Sequence, residues 1–376
     1  MKRRPGRRGG TDAMAADHAP RARERIAKDE ASLRRRAHAG IRALSHDVDE
    51  LLNFIAFSSL DLASAVLPRS WALSLADAIG ILAALSPVGR RAATRMGAMF
   101  GATKAVAIAR ERLTRPFRDH VIMARIANER EGAGNWRIES LNEPALLRDP
   151  NATFIVAAGH LARESSIAAY LPTVVPHKLA AVMAPVHKHG SGMRGLRLNV
   201  QFGRMADALK RVRNGDVEIV EVGQPRIVQR LVTHLKQTGA CVFIAADAPW
   251  PSAKGGVARP FAGRALQNYA LGTARLARMS QRPIISCVPV LEEGRIVLHW
   301  GAPIAPPASD DQSADTRITH ALLDELERAI GRHPGQYVLS IGHERRWDGE
   351  HERWLAPAAE AVAQAEDMTA EHVAAH

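Results

Sequence analysis

Thr153-Phe-Ile-Val-Ala-Ala-Gly-His160 reads as a short apolar strand that stops at a glycine and a histidine, and Leu161-Ala-Arg-Glu-Ser-Ser166 beyond it opens a helical pattern. A short apolar run bounded by a turn signal fits a buried strand. A strand that feeds directly into a helix is the repeating unit of an α/β fold. In open α/β sheets the C-terminal strand ends face the ligand crevice. An imidazole placed there, with a carboxylate one turn later, can take a proton from a hydroxyl near neutral pH. His160 is therefore the candidate general base and Glu164 its expected orienting partner.

Working outward, strand-like runs recur at 153–158, 179–184, 217–222, 241–246, 284–290 and 296–300, with helical patterns at 162–171, 204–213, 224–238, 266–281 and 316–331. This alternation predicts an α/β core over 151–350, a mainly parallel sheet flanked by helices. Ahead of it, 41–150 reads as an all-helical section. Its first apolar run, 49–67, is interrupted by Asp61 and ended by Pro68; a second helix ends before Pro87 and a third reaches Phe100. Residues 1–40 read as a disordered basic tail, and 351–376 as an Ala- and Glu-rich tail. There is no internal repeat.

The chain has 376 residues and a formal charge of +12. Residues 1–40 hold twelve Lys and Arg against five acids, +7 of that total. Such an excess predicts attraction to a polyanion: an anionic bilayer, a phosphorylated substrate or nucleic acid. Nucleic acid is the weakest of these, because the charge is concentrated in a tail, aromatics are 5% and no recognition motif appears; no nucleic-acid partner is expected. No stretch of about 18 uninterrupted apolar residues writes a clear transmembrane span, and no signal-type core follows the basic start. Apolar helices with Trp71 and the pair Arg90-Arg91 suit a headgroup layer. They equally suit a helical subdomain packed on the core, and both readings hold together. Cys241 and Cys287 sit in apolar runs, as expected of reduced, buried thiols in a cytosol-facing protein.

Asp247 ends another strand, Gly239-Ala-Cys-Val-Phe-Ile-Ala-Ala-Asp247, and is expected on the same sheet edge as His160. Lys254-Gly-Gly-Val-Ala-Arg259-Pro-Phe-Ala-Gly263-Arg264 reads as a Gly-rich basic loop able to hold an anionic headgroup or carrier phosphate. It lacks the Lys-Ser/Thr ending of a phosphate-binding P-loop. Arg163, Ser165, Asp247, Lys254, Arg259, Gly263 and Arg264 are the expected substrate-side residues. Among Arg194, Arg197, Arg204, Arg211 and Arg213 most are expected to be solvated, with one or two turned toward the crevice. His187-Lys-His189 has no accompanying cluster of metal-ligand spacing, so no metal is expected. The absence of Gly-x-Ser-x-Gly argues against an ordinary serine hydrolase.

In chain order these pieces resemble the bacterial lipid A late acyltransferases, lauroyl/myristoyl type, of the lysophospholipid acyltransferase superfamily. The resemblance spans about 50–347. It runs through Trp136-Arg-Ile138, the strand ending at His160, Phe243-Ile-Ala-Ala-Asp247-Ala248, Phe261-Ala-Gly263-Arg-Ala265, Gly272-Thr-Ala-Arg-Leu-Ala277, Pro283-Ile-Ile-Ser-Cys-Val-Pro289, Pro334-Gly-Gln-Tyr337 and His343-Glu-Arg-Arg-Trp347. It implies a glycerolipid-acyltransferase-like fold and transfer of a fatty acyl chain from a carrier thioester to a hydroxyl of a glycolipid or lysophospholipid. The His would be the base, the acid its orienting partner, and basic residues would hold phosphates or the oxyanion. No cofactor is implied beyond acyl carrier protein or coenzyme A as thioester co-substrate. The implied acceptor is an anionic membrane lipid or glycolipid, and the implied location is membrane-associated, on the cytoplasmic face of the bacterial inner membrane. That family spaces its acid five residues after the His; here that slot is Ser165 and Glu164 is one earlier, a turn of about 100° on a helix. Ala248 also replaces the family's Gln. These departures motivate an alternative: a relative that binds lipid or acyl carrier without turnover. None of the motifs encodes oligomeric state or acyl length.

Overall fold

The computed structural model describes residues 50–128, 130, 137–163, 165–174, 177–183, 193–212, 216–249 and 255–356. Glu164, Lys254, Trp136, His187, His189 and the basic tail lie outside them.

Seven strands form one sheet in the order β1-β9-β8-β2-β5-β3-β4. They are β1 (Ile138–Leu141), β2 (Phe154–Ala158), β3 (Lys178–Met183), β4 (Val217–Glu221), β5 (Ala240–Ala245), β8 (Ile284–Glu292) and β9 (Arg295–Trp300). Five run parallel. β9 returns antiparallel to β8, and β1 pairs parallel to β9. The mainly parallel sheet expected from the sequence is therefore present, with a reversed pair at one edge.

β2 lies at the centre, and all five of its residues are buried. Alternate side chains serve opposite faces. Phe154, Val156 and Ala158 join a cluster with α4 (Ala102–Ala127), α5 (Ser165–Val174) and α6 (Met193–Val212). Ile155 and Ala157 join a second with α7 (Ile227–His234), α8 (Gly272–Ser280) and α9 (Ser313–Arg332). Apolar burial on both faces explains why this strand reads as a continuous hydrophobic run. Each fully buried large aliphatic or Phe side chain contributes about 1.5–3 kcal/mol.

The connections from β2 and β5 diverge. β2 passes through α5 to β3 on one side, while β5 passes through a hairpin and α8 to β8 on the other. The gap between the C-terminal ends of β2 and β5 is thus a place where connections part, the position at which open α/β sheets bind ligands.

The front helices are α1 (50–66), α2 (Arg69–Leu85) and α3 (Pro87–Phe100), leading into α4. Ser86-Pro87 breaks α2 from α3 because Ser86 Oγ accepts from the Gly89 N–H and Pro87 fills the first turn. The two helices bend by 74° there. Among the described residues no single helix is long and apolar enough to cross a membrane; this bent pair passes by length and composition together. Asp61, which interrupts the apolar run of α1, takes a bidentate pair from Arg204 of α6 at 2.8 and 2.6 Å. Arg197 of α6 similarly pairs with Glu50, and Arg125 of α4 donates to the carbonyls of Ser64 and Leu67. These ties clamp α1 onto the core. The outer faces remain apolar: Trp71, Leu82 and Leu85 are each about two-thirds or more exposed.

Five expectations need correction. The front section is not all helix, since β1 joins the sheet; Ile-Glu-Ser-Leu is too short and polar to show itself without its partner β9. The 254–264 loop is largely an antiparallel hairpin, β6 (Gly256–Phe261) and β7 (Arg264–Ala270). The helix expected from 266 accordingly begins only at Gly272. The core also runs beyond 350, because β11 (Arg353–Leu355) pairs with β10 (Arg346–Asp348) and buries Trp354. Finally, Arg197 and Arg204 face α1 and not a crevice.

Candidate active site

The register of the central strands builds the site. Ala158 of β2 lies opposite Ala245 of β5, and the ladder continues with Ala246 N–H donating to the Ala158 carbonyl at 2.7 Å. Two residues past each strand end come His160 and Asp247. His160 Nδ1 lies 2.7 Å from Asp247 Oδ1, and the His160 backbone N–H donates to Asp247 Oδ2 at 2.9 Å. Both carboxylate oxygens therefore hold the same residue. Asp247 is wholly buried, whereas the His160 side chain is 26% exposed. An acceptor-only carboxylate at Nδ1 fixes the tautomer with the proton on Nδ1, so the basic nitrogen is Nε2.

Gly159 makes this approach possible. A Cβ there would stand 2.6 Å from Leu326 Cδ2 and 3.3 Å from Asp247 Oδ2. The glycine that ends the strand in the sequence thus leaves room for Leu326 of α9 and for the carboxylate.

Beyond His160 the chain is pinned by the strap 334–341. Leu161 bridges Tyr337, Val338 N–H donates to the His160 carbonyl at 2.9 Å, and Ala162 N–H donates to the Gln336 carbonyl at 3.0 Å. Ala162 sits at φ 41°, a conformation costly for a residue with a Cβ and held by these contacts. Arg112 of α4 donates to the carbonyls of Pro334, Tyr337 and Leu339, and Arg115 to that of Gln336. The Gln336 amide bonds both backbone groups of Leu291. Burial lowers the Arg112 guanidinium to about 10. Tyr337 and Tyr269 are buried around Asp247; burial first, and then its negative charge, pushes both phenols up. Local sequence patterns pointed to none of Tyr337, Tyr269, Arg112, Arg115 or Asp119. The signal that was available is the Pro334-Gly-Gln-Tyr337 block, whose role appears only in three dimensions.

The remaining expected site residues fall in several places. Asp247, read from sequence as shaping a substrate site, is the partner of His160 Nδ1. Arg163 lies three residues from His160, its Nε donating to Asp119 at 2.7 Å with 14% of its side chain exposed. Ser165 is buried, its hydroxyl 3.9 Å from Met123 sulfur. Arg259 is turned inward, with all three nitrogens engaged by the Pro260 and His320 carbonyls and by Asp324 and Glu327. Gly263 lies in the two-residue turn of the β6–β7 hairpin, with Ala262 at φ 46° and Gly263 at φ 79°. A Cβ on it would meet the Gly342 carbonyl oxygen at 2.4 Å, so here a glycine seats the C-terminal strap. Arg264 reaches Ser340 from the surface. Cys241 and Cys287 are buried free thiols, and burial pushes Cys287 well up. Among the described residues no group of three His, Cys, Asp or Glu is placed to hold a metal ion.

No curated protein matches the chain. A solved structure similar to it is the 1-acyl-sn-glycerophosphate (LPA) acyltransferase PlsC from Thermotoga maritima, at 12% identity and a TM-score of 0.33, covering 70% of this chain and 98% of that one. A family model described as bacterial lipid A biosynthesis acyltransferase matches residues 54–347. That match covers well over half of the chain, from α1 to β10, and includes the β2 and β5 ends and the strap: the chain belongs to the bacterial lipid A biosynthesis acyltransferase family, and its chemistry is acyl transfer to lipid.

Proposed function

We propose that this chain moves a fatty acyl group from a carrier thioester, on acyl carrier protein or coenzyme A, to a hydroxyl of an anionic glycolipid or lysophospholipid, with His160 as general base. The observation that carries this reading is the two-point grip of Asp247 on His160, at Nδ1 and at the backbone N–H. Nε2 takes the acceptor hydroxyl proton as its oxygen attacks the thioester carbonyl. The carbon–sulfur bond then breaks, and the departing thiolate takes that proton back from the imidazolium, so no proton or electron is left over. Asp247 keeps the ring oriented and stabilises the imidazolium, the role of the carboxylate in hydrolase triads. Arg163, beside the base and held by Asp119, is suited to an acceptor phosphate. Family membership favours turnover over the binding-only alternative.

The same reading places the chain at the cytoplasmic surface of the bacterial inner membrane. Support comes from the apolar outer faces of α1 and α2 and from the cationic α3, with Arg90 and Arg91.

The test incubates purified chain with labelled acyl-carrier and acyl-coenzyme A thioesters and a membrane lipid extract, beside H160A. Labelled lipid from the natural chain only is the expected result, and mass spectrometry of the product names the acceptor. Undiminished turnover by H160A would remove the mechanism.

A further inference from the structure

Arg163 enters the site from the turn between β2 and α5. An unheld arginine samples many rotamers, and a ligand must offset the cost of fixing it. Asp119 of α4 fixes it in advance. Its Oδ1 accepts from Arg163 Nε at 2.7 Å, and its Oδ2 accepts from Arg115 Nε at 3.2 Å. Arg115 lies one helical turn before Asp119 on the same helix, and its Nη1 donates to the Gln336 carbonyl at 3.0 Å. That same carbonyl accepts from the N–H of Ala162, the residue before Arg163, at 3.0 Å. The contacts therefore close a ring through Asp119, Arg115, the strap at Gln336, Ala162 and Arg163.

The ring is largely shielded from water: the Arg115, Arg163 and Asp119 side chains are 8%, 14% and 22% exposed. Two guanidiniums against one carboxylate leave a positive charge in excess. Arg115 Nη2 is buried and bonds to none of the described residues. Among those residues Arg163 is held by Nε alone, which leaves the Nη edge of its planar head turned away from Asp119. That edge is the one that grips a phosphate with two parallel bonds.

We propose that Asp119 is a positioning residue for the lipid acceptor: it holds Arg163 by Nε, presents the Nη edge to an acceptor phosphate, and through Arg115 ties that aim to the strap. The proposal rests on the reading of Arg163 as a phosphate ligand given above. A carboxylate that served only to pack α4 would act on stability whatever stood at 163. Asp119 acting through Arg163 affects acceptor binding only while the guanidinium is there to be aimed.

The experiment measures acyl transfer from a labelled carrier thioester to graded amounts of membrane lipid extract. The chains compared are the natural one, D119N, D119E, R163K and the two doubles with R163K, with H160A alongside. D119N should raise the apparent KM for the extract about tenfold, and the loss should fall on that KM and not on kcat or the thioester KM. D119E, a carboxylate one methylene further out, should raise it only about threefold, and it serves in every comparison if D119N does not fold. R163K keeps the charge but not the fork, so it should raise the KM by itself. On R163K neither Asp119 change should add more than about twofold. Inorganic phosphate at fixed ionic strength should raise the KM of the natural chain and do so less in D119N. An unchanged KM in D119N and D119E, a loss in kcat alone, an effect that persists in full on R163K, or a phosphate response equal in both chains overturns the proposal. A normal KM in R163K removes the reading of Arg163 and the proposal with it. In either case H160A, inactive beside an active natural chain, leaves the base reading standing; no labelled lipid from the natural chain removes all three.

Discussion

Two buried carboxylates less than half the chain apart, Asp247 and Glu327, show how the same group serves different ends. Glu327 on α9 accepts from Arg345 at 2.6 Å, from the Ala262 N–H at 3.0 Å and from Arg259 at 3.1 Å. It is surrounded by permanent cations and pins the β6–β7 hairpin to α9 and to the C-terminal segment. Asp247 holds an imidazole, a group that takes up and gives back a proton, and that ring is partly open to solvent. Fixed-charge partners make a joint, whereas a titratable partner at a strand end makes a reactive site.

The sharpest way to break this contrast is D247N. An amide keeps the volume but presents the wrong group to Nδ1, so turnover should fall by about 10³-fold or more, with the melting temperature close to that of the natural chain. Unchanged turnover would make Asp247 another joint. E327A should do the reverse. Removing one member of a buried ion cluster costs about 3–5 kcal/mol, seen as a large drop in melting temperature, while the protein that remains folded keeps its specific activity at low temperature. Activity lost in step with D247N would place Glu327 in the chemistry.

His120 sharpens the comparison from the side of the imidazole. Its nearest acid, Asp61, lies at 3.7 Å and is already taken by Arg204. Burial lowers this imidazole to about 4; Asp61 pulls it up and Arg204 pushes it down. The unfolded ring binds a proton near its ordinary value of 6.5, the folded ring only near 4. Stability that is full above pH 6.5 should therefore be lost as pH falls toward 4, by up to about 3 kcal/mol. The natural chain should show a steeper fall in melting temperature across that window than H120Q; equal slopes would put the titration elsewhere.

The legible parts of the molecule are those written in contiguous residues. β2, β3, β5 and β8 were visible because burial on both faces makes their runs apolar from end to end. β1 and the β6–β7 hairpin were not. The first owes its existence to pairing with a strand some 150 residues away. The second carries Gly, Pro and Arg where strand alternation is sought, and Phe261 and Tyr269 become its core side only through α8 and α9. The proposed base was legible as a histidine at a strand end. A partner was sought one helical turn along, at Glu164, which lies outside the described residues; the structure sets Asp247 of the neighbouring strand against the ring. That contact follows from the register of two strands that are adjacent in space but not successive in the chain. Asp247 was placed on the right edge of the sheet for the right reason; only its role needed the third dimension. Arg259 shows the opposite error, because a cation in a Gly-rich stretch looks like an anion grip until the acids waiting on α9 are seen.

The strap has a consequence for how the protein comes to life. His160, Asp247 and Tyr337 are spaced almost evenly along the chain, so Pro334–Leu339 are made well after both strand ends. A nascent or proteolytically clipped chain that ends before Pro334 carries imidazole and carboxylate without the segment that braces the backbone on either side of Leu161. The brace for the site is thus among the last parts of the described chain to be made. Activity then reports on the integrity of a segment remote in sequence from the residue that reacts.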